Sequence, residues 1–448
     1  SKSTPKRNTK RMKNINPDTF CPSLWYHMRI LPSGKMRFCR WGGIGKQDSR
    51  DSIKSDLTQE NFPEYFQNEM SALRMDMIQG THIPECQDCR LMETHGKVSG
   101  RERQLLKVGI QRNNFDKTFR SSPFYNEFQK SADNNGHTDL WPQDWQIDLG
   151  NQCNSNCIFC TPEYSSKLGA ELKKLGLVNY KKPATSWSND DAAVDQFVDM
   201  LAKSKKLAYL HFVGGEPLVI PGFKKILEKL VERGLNKTVS MGFTTNLTLW
   251  DESIIDLLSQ YQEVNLGMSL ECFDKINDYL RYPSKIEHVQ DILEKFLLAS
   301  KNKNWLKCLR ITPTLFSVPH LVNIYEYAYS KNIGVESCNF LDEPAHMRMN
   351  ILPHNMRKEF ADKLQQWIDS KNLPLGEVTI NYRDPNLVRK GILEDAQSYI
   401  DYIRNAPEET HRLPDTVSYI KKLETLRGNT ILDYVSPEYE KLLRSAGY

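Results

Sequence analysis

Residues 145–160, WQIDLGNQCNSNCIFC, place three cysteines on one loop directly after a predicted strand. The strand is WQIDLG at 145–150, and Cys153, Cys157 and Cys160 follow it with the spacing C-x3-C-x2-C. Three thiolates this close can hold three irons of a 4Fe–4S cluster and leave the fourth iron open for an external ligand. A zinc site that is completed from elsewhere in the chain is the alternative on spacing alone.

Short strands and helices alternate after this loop. Helical patterns lie between the strands, at 223–234, 252–261, 286–300 and 321–331. The predicted strands are 145–150, 207–215, 237–246, 263–272, 308–316 and 334–341. Five crossovers that join six strands predict an α/β fold with a parallel sheet, and such sheets carry their active sites at the carboxyl ends of the strands. Residues 350–448 are predicted to be mainly helical, and 133–139 to be an exposed linker.

The ten cysteines of the 448 residues also bear on the class of protein. Disulfide frameworks are typical of small secreted chains, whereas clustered cysteines in a reducing compartment indicate metal or iron–sulfur ligands. The cysteines are Cys21, Cys39, Cys86, Cys89, Cys153, Cys157, Cys160, Cys272, Cys308 and Cys338. Seven of them fall into two sets before residue 161, which favours two metal or cluster sites.

Charge and composition exclude several classes. The net charge is +4, and residues 1–14 hold six basic residues and no acid, which leaves −2 for the rest. We expect a basic, disordered tail over 1–20, with polyanion binding as the alternative. There is no run of about 18 apolar residues and no segment typical of a signal peptide, so we expect a cytoplasmic protein without a membrane partner.

The chain resembles the radical S-adenosylmethionine (SAM) superfamily over about 145–345. Phe159 stands between the second and third cysteines, where that family's motif has an aromatic residue. Gly214-Gly215-Glu216-Pro217 looks like the family's GGEP motif, and FTTN at 243–246 is similar to its strand ending in Thr245-Asn246. SLECFDKINDYLRYP at 269–283 resembles the segment that supplies a Ser and an Arg to SAM.

This resemblance implies a partial (β/α)6 barrel over 141–349 and assigns roles to residues. The open iron would bind SAM, with Glu216 at the ammonium group, Ser269 at the ribose and Arg281 at the carboxylate. Gly214 and Gly215 would let backbone approach the methionyl end. The full set of expected SAM contacts is Phe159, Gly214, Gly215, Glu216, Pro217, Thr245, Asn246, Ser269 and Arg281. In strand 263–272, alternation predicts a polar face (Asn265, Gly267, Ser269, Glu271) that lines the cavity and an apolar face that meets the helices.

The chemistry that the resemblance implies is one-electron reduction of SAM, its cleavage, and hydrogen abstraction from a substrate by a 5′-deoxyadenosyl radical. Cys153, Cys157 and Cys160 would be the catalytic cluster ligands. A reductant such as flavodoxin or ferredoxin would supply the electron. The cofactor carries this chemistry, and the protein orients it and excludes water.

The other cysteine set has the pattern C-x12-G-x4-C, from Cys21 through Gly34 to Cys39, followed by Cys86-x2-Cys89. On spacing alone, zinc and a 4Fe–4S cluster fit equally. The pattern is similar to the auxiliary-cluster module of SPASM and twitch radical SAM enzymes, although here it precedes the barrel. Further resemblances to twitch proteins are Glu93-x2-Gly96-x2-Ser99-x-Arg101, Arg427-Gly-Asn and Pro437-Glu438. We therefore expect a twitch-like domain at 21–140 and a helical region at 350–448.

Four thiolates would leave the auxiliary irons no open position. An electron-transfer role with a dehydrogenated or cross-linked product is expected, and a purely structural cluster is the alternative. A peptide or protein side chain is the favoured substrate, and a sugar-like alcohol is the second candidate. The alternative function from another class is a nucleic-acid-associated metal-binding protein. For an epimerase, Cys272, Cys308 or Cys338 could donate hydrogen. Asp342, Glu343 and His346 follow the last strand and are candidate substrate contacts.

Overall fold

The structure is a computed structural model that describes residues 15–39, 62–94, 98–181, 186–337, 340–341, 343–373 and 384–448. The basic residues of 1–14, Gly96, Cys338 and Asp342, all singled out in the sequence, lie outside the described residues. Among the described helices, none is long and apolar enough to cross a membrane.

Eight strands form one mostly parallel sheet in the order β2-β1-β3-β4-β5-β6-β7-β8. Their bounds are His27–Ile30 (β1), Met36–Arg37 (β2), Asp144–Asp148 (β3), Tyr209–Val213 (β4), Ser240–Thr245 (β5), Glu263–Ser269 (β6), Trp305–Ile311 (β7) and Gly334–Ser337 (β8). All six predicted strands are confirmed as β3 to β8. The sheet has two more strands than predicted, because β1 pairs in parallel with β3, and β2 pairs antiparallel to β1.

Helices connect the parallel strands, as parallel pairing requires a long crossover between one strand and the next. The helices are Ser23–Tyr26 (α1), Ser71–Ile78 (α2), Gln87–Thr94 (α3), Gly100–Lys107 (α4), Phe115–Ser121 (α5), Tyr125–Asp133 (α6), Ser166–Lys174 (α7), Asp191–Ala202 (α8), Pro221–Glu232 (α9), Glu252–Leu258 (α10), Ile276–Leu280 (α11), Ile286–Ala299 (α12), Leu321–Lys331 (α13), His354–Asp369 (α14), Pro385–Asn405 (α15), Leu413–Arg427 (α16) and Pro437–Ser445 (α17). The four predicted crossover helices are confirmed as α9, α10, α12 and α13. The sequence prediction missed α7 and α8.

Strand β6 has the two faces that its alternation predicts. The apolar residues Val264, Leu266 and Met268 are at most 1% exposed, whereas Asn265 and Ser269 are half-buried. Gly267 lies opposite Cys308 of β7 in the parallel register. One face of β6 is therefore packed with apolar side chains, and the other is polar.

The chain divides into two compact units by the density of its internal contacts. The described residues of 1–94, 98–147 and 195–210 form the first unit, and those of 148–194 and 211–448 form the second. An aromatic cluster forms the core of the first unit, and its rings meet at centroid distances between 5.2 and 6.0 Å. Its members include Phe20, Trp25, Phe115, Phe119, Phe124 and Phe128. Because Phe20 is fully buried, the predicted tail of 1–20 is too long at its carboxyl end.

The segment predicted as an exposed linker, 133–139, is exposed only in part: Asp133, Asn134, Asn135 and Asp139 are exposed, whereas its centre is packed. Its Gly136 and Thr138 are buried, and the Arg74 guanidinium donates to the Gly136 carbonyl at 3.1 Å. The Thr138 N–H donates to the Gln67 carbonyl at 3.2 Å. The polar composition of the segment predicted exposure, but a polar turn is also able to bury part of its backbone when side chains such as Arg74 satisfy it.

The carboxyl-terminal region is helical, as predicted. Helix α14 buries Leu364, Trp367 and Ile368, while Phe360 is partly buried. In the second unit, residues of α16 and α17 share one hydrophobic cluster with residues of the loop that follows β3. This cluster brings the carboxyl-terminal helices to the central cysteine motif.

Candidate functional site

The central cysteine motif lies on the loop after β3. Cys157 is buried, and Cys153 and Cys160 are half-buried. Burial raises the pKa of Cys153 to about 12, and it also raises the pKa values of Cys157 and Cys160. The charge of the Arg281 guanidinium opposes this shift at all three thiols. Neighbouring thiols add to the shift at Cys153 and Cys160, so the three sulfurs lie close enough to interact electrostatically. Burial thus favours the neutral thiols, and a bound cluster would stabilise the thiolates.

The middle of this loop pairs with the chain just after α11. The backbone N–H of Asn156 donates to the Tyr282 carbonyl at 2.6 Å. The backbone N–H of Ile158 donates to the Leu280 carbonyl at 2.9 Å. The residue between the two donors is the middle cysteine of the motif, and the residue between the two acceptors is Arg281.

Asn246, which follows β5, connects the cluster loop to Glu216. Its side-chain amide donates to Asn154 Oδ1 at 2.8 Å and to Ser155 Oγ at 3.1 Å, and its nitrogen lies 3.9 Å from Cys153 Sγ. Its backbone N–H donates to Glu216 Oε2 at 2.6 Å. The ends of three strands, β3, β4 and β5, thus meet in one hydrogen-bonded network, as expected for a site at the carboxyl ends of parallel strands.

Glu216 is a buried carboxyl group that titrates near neutrality. It is 1% exposed, and burial raises its pKa to about 7. Hydrogen bonds from the backbone of Asn246 and Leu218 and from the Thr245 side chain oppose this shift. Pro217 begins the short 3₁₀ turn that supplies the Leu218 N–H. A carboxyl group poised near pH 7 is an electrostatic feature typical of functional sites.

Gly214 and Gly215 form a close contact between two backbone segments. Their φ angles are +97° and +46°. A Cβ on Gly214 would lie 2.6 Å from the Gly150 carbonyl oxygen, and one on Gly215 would lie 2.0 Å from that of Gln152. The close approach that requires glycine here is to the chain's own backbone, which seats the GGEP turn against the entry to the cluster loop.

Arg281 lies beside the cluster loop in a buried, partly satisfied environment. Its Nη2 donates to Glu271 Oε1 at 2.6 Å, and Glu271 Oε2 accepts from the Thr312 backbone N–H at 2.8 Å. The guanidinium carbon lies 5.5 Å from the centre of the Phe159 ring. The Arg281 Nε is buried without a hydrogen-bond partner among the described residues. The Nε–H is thus available to a ligand, and Glu271 holds the guanidinium in place.

Ser269 ends β6 on the polar face of the sheet, half-buried and opposite Arg310. Arg310 forms an ion pair with Glu336 at 2.8 Å. A Cβ on Gly267 would lie 2.8 Å from Arg310 Nε, so glycine leaves room for this side chain. Cys308 lies in the middle of β7 in register with Gly267, and not at the start of its strand as predicted.

The other candidate residues are spread over the second unit. Cys272 is fully buried in the hydrophobic cluster, and it lies beyond Ser269, where β6 ends. Glu343 is exposed. The His346 ring packs against the Tyr419 ring, with the centroids 4.2 Å apart. The Tyr419 hydroxyl donates to the Ile158 carbonyl, so the last predicted mouth residue is linked to the cluster loop through α16.

The second cysteine set comes together in the first unit. Cys21 precedes α1, Cys39 follows β2, Cys86 ends the 3₁₀ turn Pro84–Cys86, and Cys89 lies in the first turn of α3. The four thiols line one cavity together with Ser23, Leu24, Phe38, Met77, Gly100 and Arg101. Gly34, with φ +83°, lies in the turn between β1 and β2 and returns the chain so that Cys39 reaches this cavity.

Electrostatic coupling supports the same grouping. Burial raises the pKa of Cys86 first, and the neighbouring Cys39, Cys21 and Cys89 raise it further. Burial likewise raises the pKa of Cys21 and Cys89. The thiols are thus neighbours, two of them buried and two half-buried, as a shared ligand set requires.

A buried ion pair fixes the chain beside this cavity. Arg101 donates to both oxygens of Glu93, at 2.9 and 2.7 Å, and 3% of its side chain is exposed. Ser99 begins α4 with a capping box to Glu102, and its hydroxyl also donates to Glu93. These contacts explain three of the four residues of the Glu93 to Arg101 pattern, and the fourth, Gly96, lies outside the described residues.

Both donor sets consist of soft thiols, the ligand type that iron–sulfur clusters and zinc share. In the part of the chain that the structure describes, no group of three or more His, Cys, Asp or Glu residues is arranged to hold a single metal ion. The central loop has three thiols, a neighbouring cationic side chain with a buried donor to spare, and a buried carboxyl group. These residues fit a three-thiolate cluster with a zwitterionic ligand.

Sequence reasoning missed several residues around the central loop. Glu271 was placed on the polar face, but its pairing with Arg281 had no local signal, because ten positions separate the two. Arg427 was noted within a motif, without a role. In the structure it donates to the Asn156 carbonyl at 2.8 Å and to Glu171 at 2.9 and 2.6 Å. Contacts across 256 positions leave no periodic pattern that a sequence could reveal.

The chain has a low similarity to several solved structures. SuiB of Streptococcus suis bound to S-adenosylmethionine is 14% identical with a TM-score of 0.37, over 72% of this chain and 65% of that one. SuiB bound to its precursor peptide SuiA is 15% identical with a TM-score of 0.37, over 71% and 65%. Native anSMEcpe with bound AdoMet is 19% identical with a TM-score of 0.37, over 50% of this chain and 60% of that one.

The chain thus spans about 65% of the length of SuiB in its two ligand-bound structures. No curated protein matches the chain. Residues 147–312 match the family model described as the Radical SAM superfamily, and this range contains the three thiols, Glu216, Asn246 and Arg281. Residues 147–312 therefore form a radical SAM superfamily domain.

Proposed function

We propose that the chain is a radical SAM enzyme whose 4Fe–4S cluster is bound by Cys153, Cys157 and Cys160. The observation that carries the proposal is the network at the strand ends, in which Asn246 joins the cluster loop to Glu216. Three motifs that are far apart in the sequence meet there. A zinc site would give no reason for a SAM-type motif at each of these strand ends.

The residues of the chain have distinct tasks in this proposal. When bound, the reduced cluster and SAM supply a 5′-deoxyadenosyl radical that abstracts a hydrogen atom from a substrate. Glu216, once ionised, attracts the ammonium group of SAM, and the spare Nε–H of Arg281 donates to its carboxylate. Ser269, on the polar face of β6, contacts the ribose. Phe159, Pro217 and Thr245 shape and order the pocket around these groups.

We further propose that Cys21, Cys39, Cys86 and Cys89 bind an auxiliary 4Fe–4S cluster in a twitch-like region at 21–140. Their shared cavity and their coupling support this ligand set. All four positions of the cluster would be filled by thiolates, so its task is to pass electrons and not to bind substrate. The barrel at 141–349 and the helical region at 350–448 complete the proposed division.

A peptide or protein side chain is the proposed substrate, and loss of hydrogen or a cross-link is the proposed outcome. The support is the resemblance of the second cysteine set to auxiliary-cluster modules. A flavodoxin- or ferredoxin-like reductant in the cytoplasm would supply the electron. Mass analysis separates the outcomes, since dehydrogenation or a cross-link lowers the mass by about two units, whereas epimerisation leaves it unchanged in water.

The experiment that tests the enzyme class is anaerobic reconstitution followed by incubation with SAM and dithionite. We expect 5′-deoxyadenosine from the wild-type protein and none from Cys157→Ala, because the middle thiol is an iron ligand. Cys272→Ala is the matched control, as it removes a buried cysteine that lies outside both sets. It should retain activity. Equal 5′-deoxyadenosine formation by Cys157→Ala and the wild type would refute the cluster assignment.

A further inference from the structure

The backbone polar groups on either side of Cys157 are satisfied from two directions. On one side, the N–H groups of Asn156 and Ile158 donate to carbonyl groups on either side of Arg281. On the other side, the carbonyl groups of these same two residues accept hydrogen bonds from α16. The carbonyl of Asn156 accepts from Arg427 Nη2 at 2.8 Å. The carbonyl of Ile158 accepts from the Tyr419 hydroxyl at 3.1 Å.

The Arg427 guanidinium is held in one position by its surroundings. Its side chain is 2% exposed, and it forms a two-point ion pair with Glu171. Glu171 Oε2 also accepts from Asn156 Nδ2 at 3.1 Å. The guanidinium carbon lies 4.7 Å from the centre of the Tyr282 ring. A buried guanidinium with this many partners cannot shift without leaving a charge or a carbonyl group unsatisfied.

The two α16 contacts therefore hold the loop at the carbonyl groups of the residues before and after its middle cysteine. Arg427 also packs on Tyr282, the residue after Arg281, so one side chain touches both partners of the pairing. Gly428, with φ +68°, ends α16 immediately after Arg427. The position of Arg427 is thus set by the helix end as well as by its ion pair.

We propose that α16 is a positioning element of the active site, in which Arg427 and Tyr419 hold Cys157 in register with Arg281. This inference rests on the proposed function and goes beyond it, since it assigns the site a second part from the carboxyl-terminal region. The hydrogen bonds fix where the middle iron ligand lies relative to the side chain that binds the SAM carboxylate. Loss of the contacts loosens that register while all three thiols remain.

The test compares Arg427→Met and Tyr419→Phe with the wild type. Each variant keeps the apolar part of the side chain and removes the donor. Arg444→Met is the matched control, because Arg444 also pairs with a glutamate, Glu440, but on the exposed surface of α17. All reconstituted proteins are compared by iron content, equilibrium SAM binding and the EPR change on SAM addition.

We expect Arg427→Met and Tyr419→Phe to retain the iron of the wild type and to bind SAM roughly tenfold or more weakly. Their EPR change on SAM addition should be smaller, and Arg427→Lys should restore part of both, since it keeps a positively charged donor group. Arg444→Met should bind SAM within about twofold of the wild type. A role in stability alone would lower the melting temperature and leave SAM affinity and the EPR change intact.

The inference is overturned if folded Tyr419→Phe and Arg427→Met both bind SAM as the wild type does. Tyr419→Phe removes a single oxygen and keeps the test valid if Arg427→Met does not fold. This failure is distinct from a failure of the proposed function, which would appear as a wild-type protein that binds no SAM and forms no 5′-deoxyadenosine.

Discussion

Burial and the nearest charges determine the charge states of single side chains in the central site. Burial of Glu216 outweighs its hydrogen bonds and the charge of the neighbouring Arg281, so its pKa rises to about 7. Arg281 lies beside the Glu271 carboxylate, which compensates its charge. The two groups proposed to bind the SAM zwitterion therefore differ in one respect: only Glu216 changes charge near neutrality.

This difference predicts a pH-dependent contribution of Glu216 to SAM binding. Below pH 7 the carboxyl group is largely protonated and offers no charge to the ammonium group, and above pH 7 it is ionised. We expect the ratio of wild-type to Glu216→Gln affinity to rise between pH 6.0 and pH 7.5, towards roughly tenfold to a hundredfold. Equilibrium binding at a series of pH values measures it. A ratio that is flat and close to one would contradict the assignment.

The folded protein should respond to pH in the opposite sense. Because the folded-state pKa of Glu216 is raised from 4.5 to about 7, its contribution to stability is fully present below pH 4.5 and is lost as pH rises through 7. SAM binding and folding thus favour opposite protonation states of one residue. This opposition is typical of groups that are buried for function.

At the scale of elements, strands were predicted well where they are long and alternating. The polar and apolar faces of β6 follow directly from a period of two. In contrast, β1 and β2 have four and two residues and precede the alternation of strands and helices that begins near residue 145, so no repeated pattern marks them. The segment at 133–139 has turn chemistry, which predicts a turn but not its burial by Arg74. The contact of α16 with the cluster loop depends on tertiary packing and could not be predicted from local sequence.

The elements that present the thiols predict the metal content. Two sets of cysteines on separate elements should hold about eight irons and eight sulfides per chain, because each cubane has four of each. Changing Cys153, Cys157 and Cys160 together to Ala should halve the iron, since the auxiliary thiols are untouched. Iron, sulfide and zinc analysis of the reconstituted proteins measures this. One zinc with four irons would contradict the auxiliary-cluster proposal.

At the scale of the whole molecule, the two cysteine sets belong to different compact units, each with its own core. In the first unit the four thiols line one cavity, and in the second the cluster loop packs among the strand ends and the carboxyl-terminal helices. The radical SAM domain over 147–312 therefore supplies only part of the proposed active site. Residues as distant in sequence as Tyr419 and Arg427 belong to it as well.

The central claim is that the cluster on Cys153, Cys157 and Cys160 has one iron open to SAM. The EPR spectrum of the reduced, reconstituted protein with and without SAM tests it most directly. We predict that SAM changes the signal of one cluster, and that this signal is absent from the variant in which Cys153, Cys157 and Cys160 are all changed to Ala. The signal of the auxiliary cluster should stay the same, because its four thiolates leave no position for SAM. A spectrum that SAM leaves unchanged, or a SAM-dependent change that persists in the triple variant, would contradict the assignment.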